Sequence, residues 1–111
     1  MDAIDVKEEK NYTLINISGD VEQADAMQIN QLLDTLLLEG KIRIAFHLEE
    51  TQYLDSAILT TFVLKSKEAK KQKGYLAFVD IPPVCLETLQ ITRLAPYFEF
   101  VKTEEELADG G

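Results

Sequence analysis

The sequence predicts an α/β fold built on a mixed β-sheet, mostly parallel, with an antiparallel N-terminal hairpin and helices packed mainly on one face. Three observations carry this prediction. Short alternating or β-branched runs recur along the chain, stripes of helical period separate them, and glycine or proline marks most junctions. Strands that alternate with helices in this way lie parallel and are joined by right-handed crossovers.

The elements follow in order. Ile4 and Val6 alternate with Asp5 and Lys7, and Thr13 to Ser18 is rich in β-branched residues, so 3–8 and 12–18 are predicted strands. Glu9-Lys10-Asn11 between them is short enough for a hairpin turn. Ile29, Leu32, Leu33, Leu36 and Leu37 then repeat at helical spacing over 25–39, with Asp25 and Gln28 spaced as a capping box and Gly40 at the end. In 41–48, Ile42, Ile44, Phe46 and Leu48 face one way and Arg43, Ala45 and His47 the other, which predicts a sheet covered on one side only.

A second helix fits 56–73 through Leu59, Phe62, Val63 and Ser66, with Gly74 as its stop, and 75–80 is a strand. Pro82-Pro83 opens a third helix carrying Leu86, Leu89 and Gln90, which ends before Pro96. Phe98 to Val101 is the last strand. Thr103 with Glu106 starts a short acidic helix that stops at Gly110. Leu33, Leu36, Ile44, Phe46, Phe62 and Phe78 are the expected core.

The 111 residues suit a single domain spanning 1–111. Mean hydropathy is −0.09, and 46% of the residues are hydrophobic, as in ordinary globular chains. Twenty acidic against eleven basic residues give a net charge of −9, which disfavours nucleic acid and anionic membranes as partners. No apolar run approaches the ~18 residues of a membrane span. A single cysteine and an acidic start point to a cytoplasmic chain without an internal disulfide.

Composition also thins the catalytic options. His47 is the only histidine, no Cys-x-x-Cys pair exists, and the one Gly-Gly pair is residues 110 and 111. These counts exclude a multi-histidine metal site and a glycine-rich phosphate loop, so no enzyme, metal or cofactor is expected. His47 is expected at a surface or strand end, and Cys85 as a small buried hydrophobe. Five lysines and one glutamate fall between residues 65 and 73. They predict a solvated helix end that complements the dipole, or else a docking site for an acidic partner.

The segment Tyr53-Leu54-Asp55-Ser56-Ala57-Ile58 enters the second helix, and two readings of it stand side by side. Asp55 or Ser56 is an N-cap, or Ser56 is a covalent phosphate acceptor at a helix terminus that tolerates the added charge.

With this segment in view, the chain resembles a stand-alone STAS domain of the bacterial anti-sigma factor antagonist type. Gly19-Asp20-Val21-Glu22 resembles the family's glycine-hydrophobic-acid turn, and Asp55-Ser56 its phosphorylation motif. Gly74 before a strand, a late helix and a final Thr-Glu-Glu segment match its C-terminal half. Three positions differ from the family's usual pattern: Ile58 stands where glycine is usual, His47 replaces an aspartate, and Glu22 replaces another.

The resemblance implies a non-enzymatic partner switch. The unphosphorylated antagonist binds an anti-sigma factor that is also a serine kinase, which frees a sigma factor. Phosphorylation dissolves the complex, and a PP2C-type phosphatase reverses it. By position Ser56 is the implied phosphate acceptor, and Glu22, Asp55, Ser56, Ala57 and Ile58 the implied partner-binding residues, in a monomer or weak dimer. The alternative is a constitutive STAS subunit of a larger assembly, such as a lipid-transport ATPase or a sensory complex. Ile58 and the missing aspartate favour that alternative; the short chain and the intact Asp55-Ser56 pair favour the switch.

Overall fold

Strand parity decides where the core lies. A computed structural model describes residues 1–109, in which β1 (Ala3–Glu8) and β2 (Thr13–Ser18) precede α1 (Gln23–Leu38) and β3 (Arg43–Glu49). There follow α2 (Ser56–Lys71), β4 (Tyr75–Val79), α3 (Pro83–Ile91), a 3₁₀ turn at Ala95–Tyr97, β5 (Glu99–Val101) and α4 (Glu105–Asp109). The five strands form one sheet in the order β1-β2-β3-β4-β5. Only β1 and β2 are antiparallel; the remaining pairs are parallel. The predicted fold class holds.

Residues in register across the sheet share a face, so Ile15, Phe46 and Phe78 form one row on the covered side. Ile29, Leu33 and Leu36 of α1, Ile58 and Phe62 of α2, and Cys85 and Leu89 of α3 pack against that side. Phe46 lies at the centre, its ring centroid 4.7 Å from Phe62 and 5.6 Å from Phe78. Such aromatic clusters contribute about 0.5–1.5 kcal/mol per pair beyond burial alone. All six expected core residues are buried.

The opposite side departs from the expectation of an uncovered face. Ala45 is fully buried, because Leu14, Ala45 and Ala77 form a row of modest side chains that leaves room for Leu107 of α4. Tyr12 donates its hydroxyl hydrogen bond to Glu104 at 2.8 Å, and the Asn11 side-chain amide donates to the Ala108 carbonyl at 2.7 Å, so the β1–β2 turn holds α4 in place. Three helices cover one face and a short fourth covers part of the other.

Element ends also shift. α1 starts at Gln23 with Glu22 as N-cap, and Asp25 plays the N3 role, accepting from the Glu22 N–H at 2.9 Å. The capping box is therefore three residues earlier than the spacing of Asp25 and Gln28 suggests. α2 ends at Lys71, and Lys73, at φ +68°, is the left-handed residue that follows it, one position before Gly74, the expected stop. Gly74 is needed for another reason: a Cβ there would overlap the Ile42 carbonyl. α3 ends at Ile91 and buries Cys85 and Leu89, while Gln90 is exposed. Glu106 accepts from the Thr103 N–H at 3.1 Å, as its spacing predicts; the expected stop at Gly110 lies outside the described residues.

Candidate partner-binding site

Because β2, β3 and β4 are parallel, α1, α2 and α3 all begin at the same edge of the sheet. The segments that precede α1 and α2, residues 19–22 and 50–55, therefore run side by side. Gly19 turns the chain at φ +85°, and a Cβ there would come within 2.6 Å of the Asp2 carboxylate. Its N–H donates to the Glu49 carbonyl at 2.9 Å, and its own carbonyl accepts from the Thr51 hydroxyl at 2.8 Å. One residue on, Asp20 Oδ1 accepts from the Gln52 N–H at 2.7 Å and the Tyr53 N–H at 3.1 Å.

The pairing continues into a parallel bridge between Val21 and Leu54, both buried. The Val21 N–H donates to the Tyr53 carbonyl and the Asp55 N–H donates to the Val21 carbonyl, each at 2.9 Å. Charge-assisted and backbone bonds thus fasten the two motif segments to each other residue by residue.

The start of α2 shows which of Asp55 and Ser56 caps the helix. Asp55 is the N-cap, its Oδ1 accepting from the Ala57 N–H at 2.8 Å. Ser56 is the first helical residue, exposed, and among the described residues its hydroxyl makes no hydrogen bond. Capping belongs to Asp55, and the Ser56 hydroxyl is left without that role. Tyr53, 51% exposed, donates its hydroxyl to Asp55 Oδ2 at 3.3 Å. The Asp55 charge, with some burial and that hydrogen bond, raises the Tyr53 phenol above its ordinary pKa.

Of the five residues expected to meet a partner, Glu22 and Ser56 are exposed and Asp55 and Ala57 half-buried. Ile58 is a correction. It is fully buried in the core, because the third residue of α2 faces the sheet rather than the loop edge. Asp20 and Tyr53 escaped the sequence reading as site residues. The signals for them were an aspartate directly after a turn glycine and an aromatic residue ahead of an N-cap.

Residues 3–107 match the family model of the STAS domain. The chain belongs to the STAS domain family. The anti-sigma-B factor antagonist of Bacillus subtilis (strain 168) is 32% identical over 92 residues, covering 82% of this STAS domain chain and 83% of the relative. The structure of tm1081 from Thermotoga maritima superposes with a TM-score of 0.86 at 18% identity, covering 96% of this chain and 92% of that one. SpoIIAA, solved in unphosphorylated and phosphorylated forms, superposes with a TM-score of 0.75 in each at 18% and 20% identity. It covers 96% of this chain, and 96% and 97% of the SpoIIAA chains are matched.

The remaining candidates of this STAS domain lie away from the loop edge or beneath it. His47 is half-buried on the side of the sheet opposite α1–α3, with Nδ1 3.1 Å from Asn16 Oδ1 and 3.3 Å from Glu49 Oε1. Cys85 is 1% exposed and its thiol donates to the Thr51 carbonyl at 3.4 Å. Burial pushes that thiol up to about 11, with a smaller push from Asp20, so it stays protonated and unreactive at neutral pH. Thr60 is exposed, one turn beyond Ser56, and donates its hydroxyl to the Ser56 carbonyl at 3.1 Å.

Lys67, Lys70, Lys71 and Lys73 are exposed, but Lys65 is buried and pairs with Asp34 of α1, so it does not belong to the expected solvated face. Among the described residues, no cluster of His, Cys, Asp and Glu is placed to hold a metal ion. No described helix is long and apolar enough to cross a membrane.

Proposed function

We propose that this STAS domain is an anti-sigma factor antagonist that works by partner switching in the cytoplasm, with Ser56 as the switch. The observation that carries the reading is the division of labour between Asp55, which caps α2, and Ser56, whose exposed hydroxyl is left unbonded. The unphosphorylated form binds an anti-sigma factor that is also a serine kinase, through Glu22, Asp55, Ser56 and Ala57. The kinase transfers the terminal phosphoryl group of ATP to Ser56 Oγ: an O–P bond forms, the bond to ADP breaks, and the hydroxyl proton leaves to a base on the kinase. A PP2C-type phosphatase hydrolyses the ester and returns the chain to its binding form.

Physical chemistry supports both stability and switching. A phosphate carries a charge of about −1.5 to −2, and the N-terminus of α2 tolerates it through its free N–H groups and dipole. The same charge arrives beside Asp55 and the acidic turn at Asp20 and Glu22, so an interface closed over it must desolvate an unpaired dianion. Weakening by about two to three decades follows at ~1.4 kcal/mol per decade. Ile58 does not obstruct docking, since its side chain is turned into the core.

The test is to incubate the chain with its anti-sigma factor kinase and ATP and map phosphate by mass spectrometry. Phosphate on Ser56, absent from Ser56→Ala, is expected, and Ser56→Asp weakens kinase binding. Phosphate only at other residues, or none from a kinase of demonstrated activity, rejects the switch in favour of a constitutive subunit of a larger assembly.

A further inference from the structure

The lysines of α2 have no role in the switch described above. Their distribution is uneven. Lys7, Lys41 and Lys65 each pair with a carboxylate of this chain, to Glu9, Glu8 and Asp34 among others. Lys67, Lys70, Lys71 and Lys73, like Lys10 and Lys102, have no carboxylate within 4 Å among the described residues, and what sets the four apart is that they gather at one end of α2. Favourable dipole placement accounts for Lys70 and Lys71 in the last turn of α2. It does not account for Leu64, which is 53% exposed, nor for Lys67 a turn earlier.

Helical geometry aligns these residues with the switch. At 100° per residue, Ser56, Thr60, Leu64, Lys67 and Lys71 fall within a sector of roughly 80°, and they extend along about 22 Å of one helix face. Four of them are polar or charged and all are exposed. Lys67 lies over the ring of Tyr97, its Nζ 5.3 Å from the centroid. An interface of ordinary size, about 800 Å² per partner, covers a stripe of this length.

We infer that this α2 face is a docking surface for an acidic protein surface: carboxylates meet Lys67 and Lys71, and an apolar recess takes Leu64. The inference rests on the antagonist reading and assigns that surface to the anti-sigma factor kinase. Charge complementarity selects the occupant. With a net charge of −9, the chain repels extended polyanions such as a membrane or a nucleic acid. A local acidic patch on a protein meets the lysines without meeting the acidic loop edge. The kinase then contacts two places at once, the Ser56 loop and the α2 stripe. Phosphorylation removes the loop contact, and the lysine contacts left at the far end of the stripe do not hold the complex by themselves.

The test uses the full chain and the kinase that binds it. Binding is expected to weaken with rising salt. Lys67→Glu combined with Lys71→Glu weakens it by about tenfold or more, and Leu64→Ala weakens it severalfold. The Lys67→Gln, Lys71→Gln pair removes charge without adding repulsion and gives a smaller loss, while circular dichroism verifies that each variant folds. Zero-length carbodiimide cross-linking joins Lys67 or Lys71 to an Asp or Glu of the kinase. Unchanged binding of the variants, or cross-links only from other lysines, overturns the inference and leaves the antagonist reading standing. Failure of the wild-type chain to bind the kinase overturns both. Wild-type binding to phosphatidylglycerol vesicles or duplex DNA, lost in the Glu variant, replaces the acidic protein with a polyanion.

Discussion

Val21 and Leu54 form a parallel bridge beyond the end of the main sheet, and it makes the two motif segments one mechanical unit. Their backbone hydrogen bonds join the turn that caps α1 to the strand exit that presents Ser56. A change in either segment is therefore felt by the other, and four expectations follow from this and from contacts elsewhere in the fold.

Asp20 holds the Ser56 loop from the other motif segment. Asp20→Ala releases the Gln52 and Tyr53 amides, and their hydrogen exchange accelerates by about tenfold. Asp20→Asn keeps an acceptor oxygen and preserves most of the protection. Global stability falls by only about 1–2 kcal/mol in the alanine variant, since the bonds are exposed. Equal exchange in all three proteins counts against this anchoring.

Asp55 and Ser56 separate in stability. Asp55→Ala loses the cap of α2 and costs about 1 kcal/mol in urea unfolding. Ser56→Ala stays within about 0.5 kcal/mol of the wild type, and Ser56→Asp is neutral or stabilising by up to ~1 kcal/mol. A cost for Ser56→Ala as large as that for Asp55→Ala would show that the serine caps the helix.

Gly74 and Lys73 respond in opposite directions. Gly74→Ala forces a methyl group onto the Ile42 carbonyl and is expected to cost more than about 2 kcal/mol. Lys73→Gly relieves a left-handed residue at φ +68° and gains about 0.5 kcal/mol after the added unfolded-state entropy of glycine. Thermal unfolding of the two variants checks both signs.

Cys85 makes stability fall at alkaline pH. Its folded pKa is raised from 9.0 to about 11 by burial, so the folded state keeps the thiol proton that the unfolded state has lost. Stability is full below pH 9.0 and declines as pH rises toward 11. Cys85→Ala flattens that stretch of the curve, and alkylation of the native thiol at neutral pH is slow. Rapid labelling of the folded protein at pH 7 contradicts the burial.

The order of elements and the central phenylalanines are legible because they depend on local period and on bulk. Leu33, Phe46 and Phe78 could find no other place in an α/β sheet of this order. What escaped depends on partners far away in sequence. Asp20 reaches amides 32 and 33 residues on, and no local pattern marks that choice. Leu107 buries itself against Leu14 and Ala77 across a face whose strand pattern looked half polar. α1 is capped three residues earlier than its sequence pattern indicates, because Glu22 is a rarer N-cap than the aspartate three residues later. At the candidate site, the helix start at Asp55 and Ser56 is legible from the sequence. The burial of Ile58 depends on the phase of α2, which the local motif does not reveal.

The strand order leaves β1 and β5 at the borders of the sheet, and neither invites another chain to extend it. β5 is three residues long, too short to template a ladder, and β1 carries Asp5, Lys7 and Glu8 along its length. Growth of the sheet by a borrowed strand is thereby discouraged, both as a route to aggregation and as a mode of recognition. The helix faces and the loop edge are left as the surfaces that do not depend on strand pairing.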